Sequence, residues 1–309
     1  MTSLDLGPLV LGGNTFGWTS DRDQSFAVLD AFVAAGGRAI DTADVYSRWA
    51  PGNSGGESET IIGEWLASRG RRDDVVIATK VFSLPARPGL SPENVRGAVD
   101  DSLRRLQTDR IDLYFAHRDD PEVAQADYVG VFDELVREGK ILEAGASNFT
   151  AERLRSAVEI ARSAGFAGFT VAQDPYNLVN RAIESTLVPT LLELGVVETP
   201  YSALASGFLS GKYRPGVAVD SARAAGASTH LDDPANLALL ELVDTIAAAR
   251  SVSPAAVALA WLRGRPAVAA PIASARTPQQ LTALAESFGL ELSSDEVDRL
   301  DGRMASTLT

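Results

Sequence analysis

Four side chains of different chemistry stand at or just beyond the ends of short apolar runs: Asp41, Tyr46, Lys80 and His117. The run Arg38–Asp41 closes on an acid, and Tyr46 follows in the next few residues. Lys80 closes the run Val75–Lys80, and His117 follows the run Ile111–Ala116. Together these types suit reduction of a carbonyl. Hydride arriving at a carbonyl carbon leaves charge on oxygen, which then needs a proton donor and oriented polar groups. A tyrosine hydroxyl can donate, although its ordinary pKa of about 10 is high. A lysine cation stabilises the phenolate, and a carboxylate holds the lysine in place and keeps it charged. A neutral imidazole can position the carbonyl. No side chain supplies hydride, so a cofactor has to.

Each residue alone has an ordinary use. Asp41 can cap a turn with Thr42, and Tyr46 can be a rim aromatic. Lys80 can reach water from a strand end, and His117 can be a loop residue beside Arg118 and Asp119. Their joint placement carries the argument, and it depends on the elements that hold them. Runs apolar throughout alternate with longer amphipathic stretches. Strands are expected over Val10–Gly12, Arg38–Asp41, Val75–Lys80, Ile111–Ala116, Leu142–Ala146, Phe169–Ala172, Val196–Val197 and Val268–Ile272. Helices are expected over Gln24–Ala35, Ser58–Ser68, Ser91 to Leu106, Tyr128–Glu138, after Thr150, Ser185–Leu194, Asn236–Arg250, Ser253–Leu262 and Thr277–Ser287. Ser91 followed by Pro92 marks one helix start. Ser293 and Glu296 form a capping box for a last short helix.

Eight strand–helix units without tight hairpins, with strands apolar on both faces, indicate a parallel sheet. The alternation favours a (β/α)8 TIM barrel, one domain over residues 1–309. No G-x-G-x-x-G follows the first strand, which removes the main support for a Rossmann fold. Barrel sites lie at the C-terminal strand ends. Beyond the four residues above, those ends carry Ser147 and Asn148, Gln173, Tyr201 and Ser202, and Ser274 and Arg276. The irregular stretch Tyr213–Asp233, rich in Gly, Ala and Ser, would be a loop covering the site. Phe16, Trp18, Trp49 and Phe82 are read as walls of a substrate pocket, although each also suits plain packing.

Composition narrows the partners. The net charge is −13 and the pI about 4.7, which argues against nucleic acid or an anionic membrane as partner. There is no cysteine and there are only two histidines, His117 and His230, so no thiolate chemistry and no His-rich metal site is expected. No basic segment precedes an apolar run at the N-terminus, and no run approaches the roughly 18 apolar residues of a membrane span. The cytoplasm is the expected compartment. A monomer is slightly favoured, since no exposed apolar stripe stands out.

Several segments together resemble the aldo-keto reductase family. D-T-A-D-V-Y (Asp41–Tyr46), A-T-K (Ala78–Lys80) and D-L-Y-F-A-H (Asp112–His117) resemble its tetrad segments. G-A-S-N-F (Gly145–Phe149), Q-D-P-Y-N-L (Gln173–Leu178) and Y-S-A-L-A-S-G-F-L-S-G-K-Y (Tyr201–Tyr213) resemble its cofactor segments. The match runs from Leu11 to Arg276, and Tyr46–Glu59 is closest to the bacterial and channel-subunit-like branch. The resemblance implies an NADPH-dependent reductase of a small-molecule aldehyde or ketone, without metal or flavin. Tyr46 would be the general acid, Lys80 and Asp41 would tune it, and His117 would orient the carbonyl. Ser147, Asn148 and Gln173 would hold the carboxamide, with Tyr201 stacked on the nicotinamide. Ser202, Leu204, Ser206, Gly207 and Lys212 would follow the pyrophosphate. Ser274 and Arg276 would face the adenosine phosphate, with Gln280 among the cofactor contacts.

Two other functions fit parts of the pattern. One is an NADPH-binding regulatory protein of the channel-subunit type with slow turnover. The other is a Schiff-base aldolase with Lys80 as nucleophile, which a paired Asp41 opposes. There are also departures from the family pattern. Glu198 and Thr199 replace an apolar pair, and Glu198 is expected either at the barrel mouth or as a local weakness, because an unpaired acid is costly to bury. Leu284 replaces an adenine-contacting Asn, and Glu143 and Ala39 also depart.

Overall fold

The computed structural model describes residues 2–302. Eight parallel strands lie in the order β7-β6-β5-β4-β3-β2-β1-β8. They are β1 (Val10–Gly12), β2 (Ala39–Asp41), β3 (Val76–Val81), β4 (Ile111–Ala116), β5 (Ile141–Ser147), β6 (Phe169–Gln173), β7 (Val197–Glu198) and β8 (Ile272–Ala273). The ring closes between β7 and the segment leading into β8. Glu198 N–H donates to Ala267 O at 2.7 Å, Ala269 N–H to Glu198 O at 2.8 Å and Ile272 N–H to Pro200 O at 2.8 Å. The fold is a (β/α)8 barrel.

Helices surround it: α1 (Arg22–Ala34), α2 (Glu57–Arg69), α3 (Pro92–Leu106), α4 (Gln125–Arg137), α5 (Ala151–Ala164), α6 (Leu187–Leu194), α7 (Ala224–Ser228), α8 (Pro234–Arg250), α9 (Pro254–Arg263), α10 (Pro278–Ala285) and α11 (Ser294–Leu300). Caps fix several starts. Ser91, Thr150, Ser253, Thr277 and Ser293 each accept a backbone N–H from the first turn of their helix. None of the helices among the described residues is by itself long and apolar enough to cross a membrane, and α8 and α9 meet at a 99° bend.

Several boundaries differ from expectation, two of them for identifiable reasons. The eighth strand is not a continuous Val268–Ile272 run; it covers Ile272–Ala273, with Val268 as a separate bridge to Glu198. Ala267 has φ +66°, and Pro271 has no N–H to give the ladder, so regular pairing is interrupted. The first helix starts earlier than its apolar pattern, at Arg22. Asp21 accepts Gln24 N–H at 2.9 Å, and the Gln24 side chain returns to Asp21 N–H at 3.2 Å.

Side chains alternate across the strands. One set, including Ala78, Leu113, Phe115 and Val171, fills the barrel, with Leu4 packed against it. The other set, including Leu11, Ile40, Ile77 and Tyr114, packs in the layer that includes the helices. At the C-terminal ends the inward positions become polar, which places Asp41, Lys80, Ser147 and Gln173 at one end of the barrel core.

Candidate active site

Short hydrogen-bonded connections hold the end of β2. Gly13 N–H donates to Asp41 O at 2.7 Å, Thr42 Oγ1 donates to Ser58 Oγ at 2.8 Å, and Ser58 Oγ donates to Gly13 O at 2.8 Å. Gly12 sits where a Cβ would lie 2.5 Å from Ser274 Oγ and displace that hydroxyl. Asp41 is thereby fixed facing β3. Lys80 Nζ donates to both Asp41 oxygens at 2.7 Å, to Thr42 O at 2.7 Å and to Tyr46 Oη at 3.0 Å. Tyr46 Oη donates to Asp41 Oδ2 at 3.1 Å, and Gln173 Nε2 to Asp41 Oδ1 at 3.0 Å. Lys80 is wholly buried, and Asp41 is 1% exposed.

Tyr46 is held well above its ordinary range, first by burial and then by Asp41. Lys80 itself is drawn down chiefly by burial, with Asp41 the main opposing influence. Tyr46 therefore keeps its proton, as a general acid must. His117 is pushed well below its ordinary value by burial, then by Lys80 and Arg118. It is a neutral imidazole, its ring 6.3 Å from that of Tyr46, and its buried Nδ1 has no partner among the described residues.

A cleft of about 730 Å³ opens above this cluster. Asp41, Tyr46 and His117 line it, while Lys80 lies beneath. Ser147, Asn148, Gln173, Tyr201, Ser202, Leu204, Ser206, Gly207, Lys212, Ser274, Arg276 and Gln280 all line the same cleft. Several are linked to one another. Tyr201 Oη donates to Asn148 Oδ1 at 2.7 Å, Asn148 Nδ2 to Ser147 Oγ at 2.9 Å, and Ser147 Oγ to Gln173 O at 2.8 Å. The backbone is strained here, with Asn148, Ser202 and Ser206 at φ +58°, +55° and +57°. Such strain in non-glycine residues is typical of binding sites.

Of the four pocket aromatics, Trp18 and Trp49 line the cleft, packed edge to face at 5.7 Å. Phe16 and Phe82 do not. Phe16 is fully buried in the core, its carbonyl taken by Ser47 Oγ at 2.5 Å. Phe82, at φ +134°, packs against the same core. Glu198 lies neither at the mouth nor loose. It is fully buried, Oε1 accepts Asp174 N–H at 2.8 Å, and burial followed by Asp174 pushes it well above the carboxylate range. Leu284 lines the cleft, and Glu143 is satisfied by Ser3 and Thr170.

Sequence reading missed Asn14 and Arg223. Asn14 Oδ1 accepts Ser274 Oγ at 2.8 Å and an Arg223 guanidinium N–H at 3.0 Å. Arg223 reaches the cleft from the Tyr213–Asp233 loop, where Gly226 lies against the Ser206 side chain. Arg223 is one of two arginines, with Arg214, in a loop of small residues, and that was the available signal.

The donor set fits a dinucleotide. Lys212, Arg223 and Arg276 supply cations, Asn148 and Gln173 supply amides, Tyr201 supplies a ring, and Gly207 at φ +93° lets backbone approach closely.

Comparison with known proteins agrees. Residues 8–304 match the model of the Aldo/keto reductase family. The chain is 34% identical over 334 residues to Protein tas of Escherichia coli K12, covering 97% of this chain and 94% of that protein. It is 34% identical over 294 residues to the uncharacterized oxidoreductase YrpG of Bacillus subtilis, covering 91% and 86%. It is 29% identical over 319 residues to an aryl-alcohol dehydrogenase of Pestalotiopsis microspora, covering 97% and 79%. The chain belongs to the aldo/keto reductase family and is an NAD(P)H-dependent oxidoreductase of carbonyl compounds.

Proposed function

We propose that this protein reduces an aldehyde or ketone to the alcohol with NADPH, and that Tyr46 is the general acid. The observation that carries this reading is the Tyr46 hydroxyl, held at 3.0 Å from Lys80 Nζ and 3.1 Å from Asp41 Oδ2 beside a neutral His117. When bound, the reduced nicotinamide supplies hydride to the carbonyl carbon. Asn148, Gln173 and Ser147 would hold its carboxamide, and Tyr201 its ring. Lys212, Arg223 and Arg276 would face its phosphates, which favours NADPH over NADH.

The chain's residues do the rest. His117, uncharged, positions the carbonyl oxygen without protonating it. Tyr46 Oη turns from Asp41 toward the cleft and gives its proton to that oxygen. Lys80 faces the resulting phenolate, and Asp41 and Thr42 O hold Lys80 in place. Trp18 and Trp49 flank the approach, and the aryl-alcohol dehydrogenase relative makes aromatic aldehydes the first substrates to try. A Schiff-base role for Lys80 is disfavoured, because its ammonium is fully buried among four acceptor contacts beneath Tyr46.

Titration with NADPH and NADH by tryptophan quenching, followed by turnover of a carbonyl panel, tests the reading. Tighter binding of NADPH and turnover of at least one aldehyde are expected. Equal affinity for both cofactors, or binding without turnover of any carbonyl, overturns the corresponding part.

A further inference from the structure

The cleft is cationic in an acidic protein. The chain carries a net charge of −13, yet Arg118, Lys212, Arg223 and Arg276 all line the cleft. Its one carboxylate among the described residues, Asp41, already holds Lys80. Three of these cations come from one side of the barrel: Lys212 and Arg223 follow β7, and Arg276 follows β8. These are the groups that would face the cofactor's phosphates. Arg118 comes from elsewhere, directly after His117 at the end of β4. Strands β4 and β8 lie four places apart in the ring of eight, so they face each other across the barrel.

Arg118 is exposed, and it makes no hydrogen bond or ion pair among the described residues. The two acids that follow it in the chain are committed elsewhere. Asp119 accepts Arg153 Nε at 2.6 Å, Arg153 Nη2 at 2.9 Å and Tyr128 Oη at 2.7 Å. Asp120 accepts Leu90 N–H at 2.8 Å and Glu122 N–H at 3.0 Å. The backbone just before Arg118 is anchored, since His117 N–H donates to Val81 O at 2.9 Å and His117 O accepts Asn148 Nδ2 at 3.1 Å. Arg118 is thereby held at the tetrad end of the cleft. Aromatic rings lead outward from the same end. The centroids of Tyr46 and Trp49 are 6.0 Å apart, and those of Trp49 and Trp18 are 5.7 Å apart. Trp49 reaches the rim, 49% exposed.

We propose that Arg118 is a specificity-determining residue that binds a carboxylate on the substrate, so that the protein favours aldehydes bearing an acid group remote from the reacting carbonyl. The inference rests on the reductase reading above and narrows its substrate class. Tyr46 and His117 take the carbonyl end, Trp49 and Trp18 flank an aryl body, and the guanidinium meets the acid with paired N–H donors. No existing ion pair has to break for Arg118 to do this. The acidic exterior opposes the approach of an anion, and the cationic lining offsets that at the cleft.

Reduction of the meta and para formylbenzoates, each compared with its neutral methyl ester at saturating NADPH, tests this. In the wild type, kcat/KM for at least one acid should exceed that of its ester by about tenfold, the size of one charge-assisted hydrogen bond, and the difference should lie in KM. Arg118→Ala should remove that preference, Arg118→Glu should invert it, and Arg118→Lys should keep part of it. Added salt should erode the wild-type preference without any substitution. An acid-to-ester ratio near one for both pairs overturns the inference. So does a preference that survives Arg118→Ala, or an Arg118→Ala loss that weakens NADPH binding and falls equally on acid and ester. Failure to reduce either acid while other aldehydes turn over overturns it too, and leaves the reductase reading standing. Failure to reduce any carbonyl overturns the reductase reading itself, and the inference falls with it.

Discussion

Two buried polar clusters lie on either side of the barrel wall and have opposite character. Around Lys80, each charge meets a partner: Asp41 receives the ammonium, the Tyr46 hydroxyl and the Gln173 amide. Around Glu198, two acids meet each other. Glu198 and Asp174 share one backbone contact, and the second Glu198 oxygen has no partner among the described residues. Burial is comparable, Lys80 and Glu198 both being wholly enclosed. Partner sign decides the outcome. A buried charge with an opposite neighbour persists as an ion pair, while a buried acid beside another acid keeps its proton. The first arrangement opens to the cleft, and neither acid of the second lines it. Local burial alone therefore does not mark a catalytic group; the company it keeps does.

The largest effect should come from breaking the first cluster at its outer member. Tyr46→Phe removes the proton donor and should lower kcat for aldehyde reduction by about 10³-fold, within the range for general acids, with NADPH affinity kept. Retained turnover would mean that another group donates. Asp41→Asn comes next. It leaves the shape but removes the counter-charge, so Lys80 loses its main opposition to burial. A fall in kcat of roughly 10²-fold is expected, with a pH profile whose alkaline limb moves to lower pH. A variant with an unshifted profile would show that Asp41 only orients the lysine.

Much of the first cluster was legible in the sequence, because its residues sit at strand ends and strand ends can be read from apolar runs. Asp41 closes one strand, Lys80 stands one residue before the end of the next, and His117 directly follows a third. The pocket aromatics were less legible. Phe16 and Trp18 are two positions apart in one loop, yet one turns into the core and the other into the cleft. No periodicity governs a loop, so the pattern cannot separate them. Arg223 was hard to place for the same reason, since its loop has no apolar register. The Glu198 site was half legible. An acid in a strand flagged a cost, but its neutralisation rests first on complete burial and then on Asp174, which comes to it only when β6 and β7 pair at Ala172 and Glu198.

The second cluster can be tested through stability rather than rate. Asp174 is pushed up to about 7 and Glu198 well above the carboxylate range, each chiefly by burial. Native protein thus holds protons that the unfolded chain releases above about pH 4.5. The native state binds more protons, so stability is fully present at acid pH and declines as pH rises through this window. Each such proton contributes a slope of about 1.4 kcal/mol per pH unit. Glu198→Gln cannot ionise in either state and keeps an oxygen for Asp174 N–H. Chemical denaturation from pH 5 to 7 should show that slope reduced by about one proton's worth. An unchanged slope would mean that Glu198 is ionised in the native protein.

Asp174→Asn should have the smallest effect, and it separates burial from repulsion. Burial is the larger cause for Glu198, and Asp174 the second. Removing the Asp174 carboxyl therefore eases Glu198 ionisation without abolishing its preference for the proton. The stability curve should flatten by the Asp174 proton and, toward the alkaline side, by part of the Glu198 proton as well. Since the two acids titrate as a pair, the double variant should flatten the curve by less than the sum of the single changes. Strict additivity would show that each acid is neutralised by burial alone. The contrast with Lys80 and Asp41 would then lie in the absence of a cation near Glu198, not in the presence of a second acid.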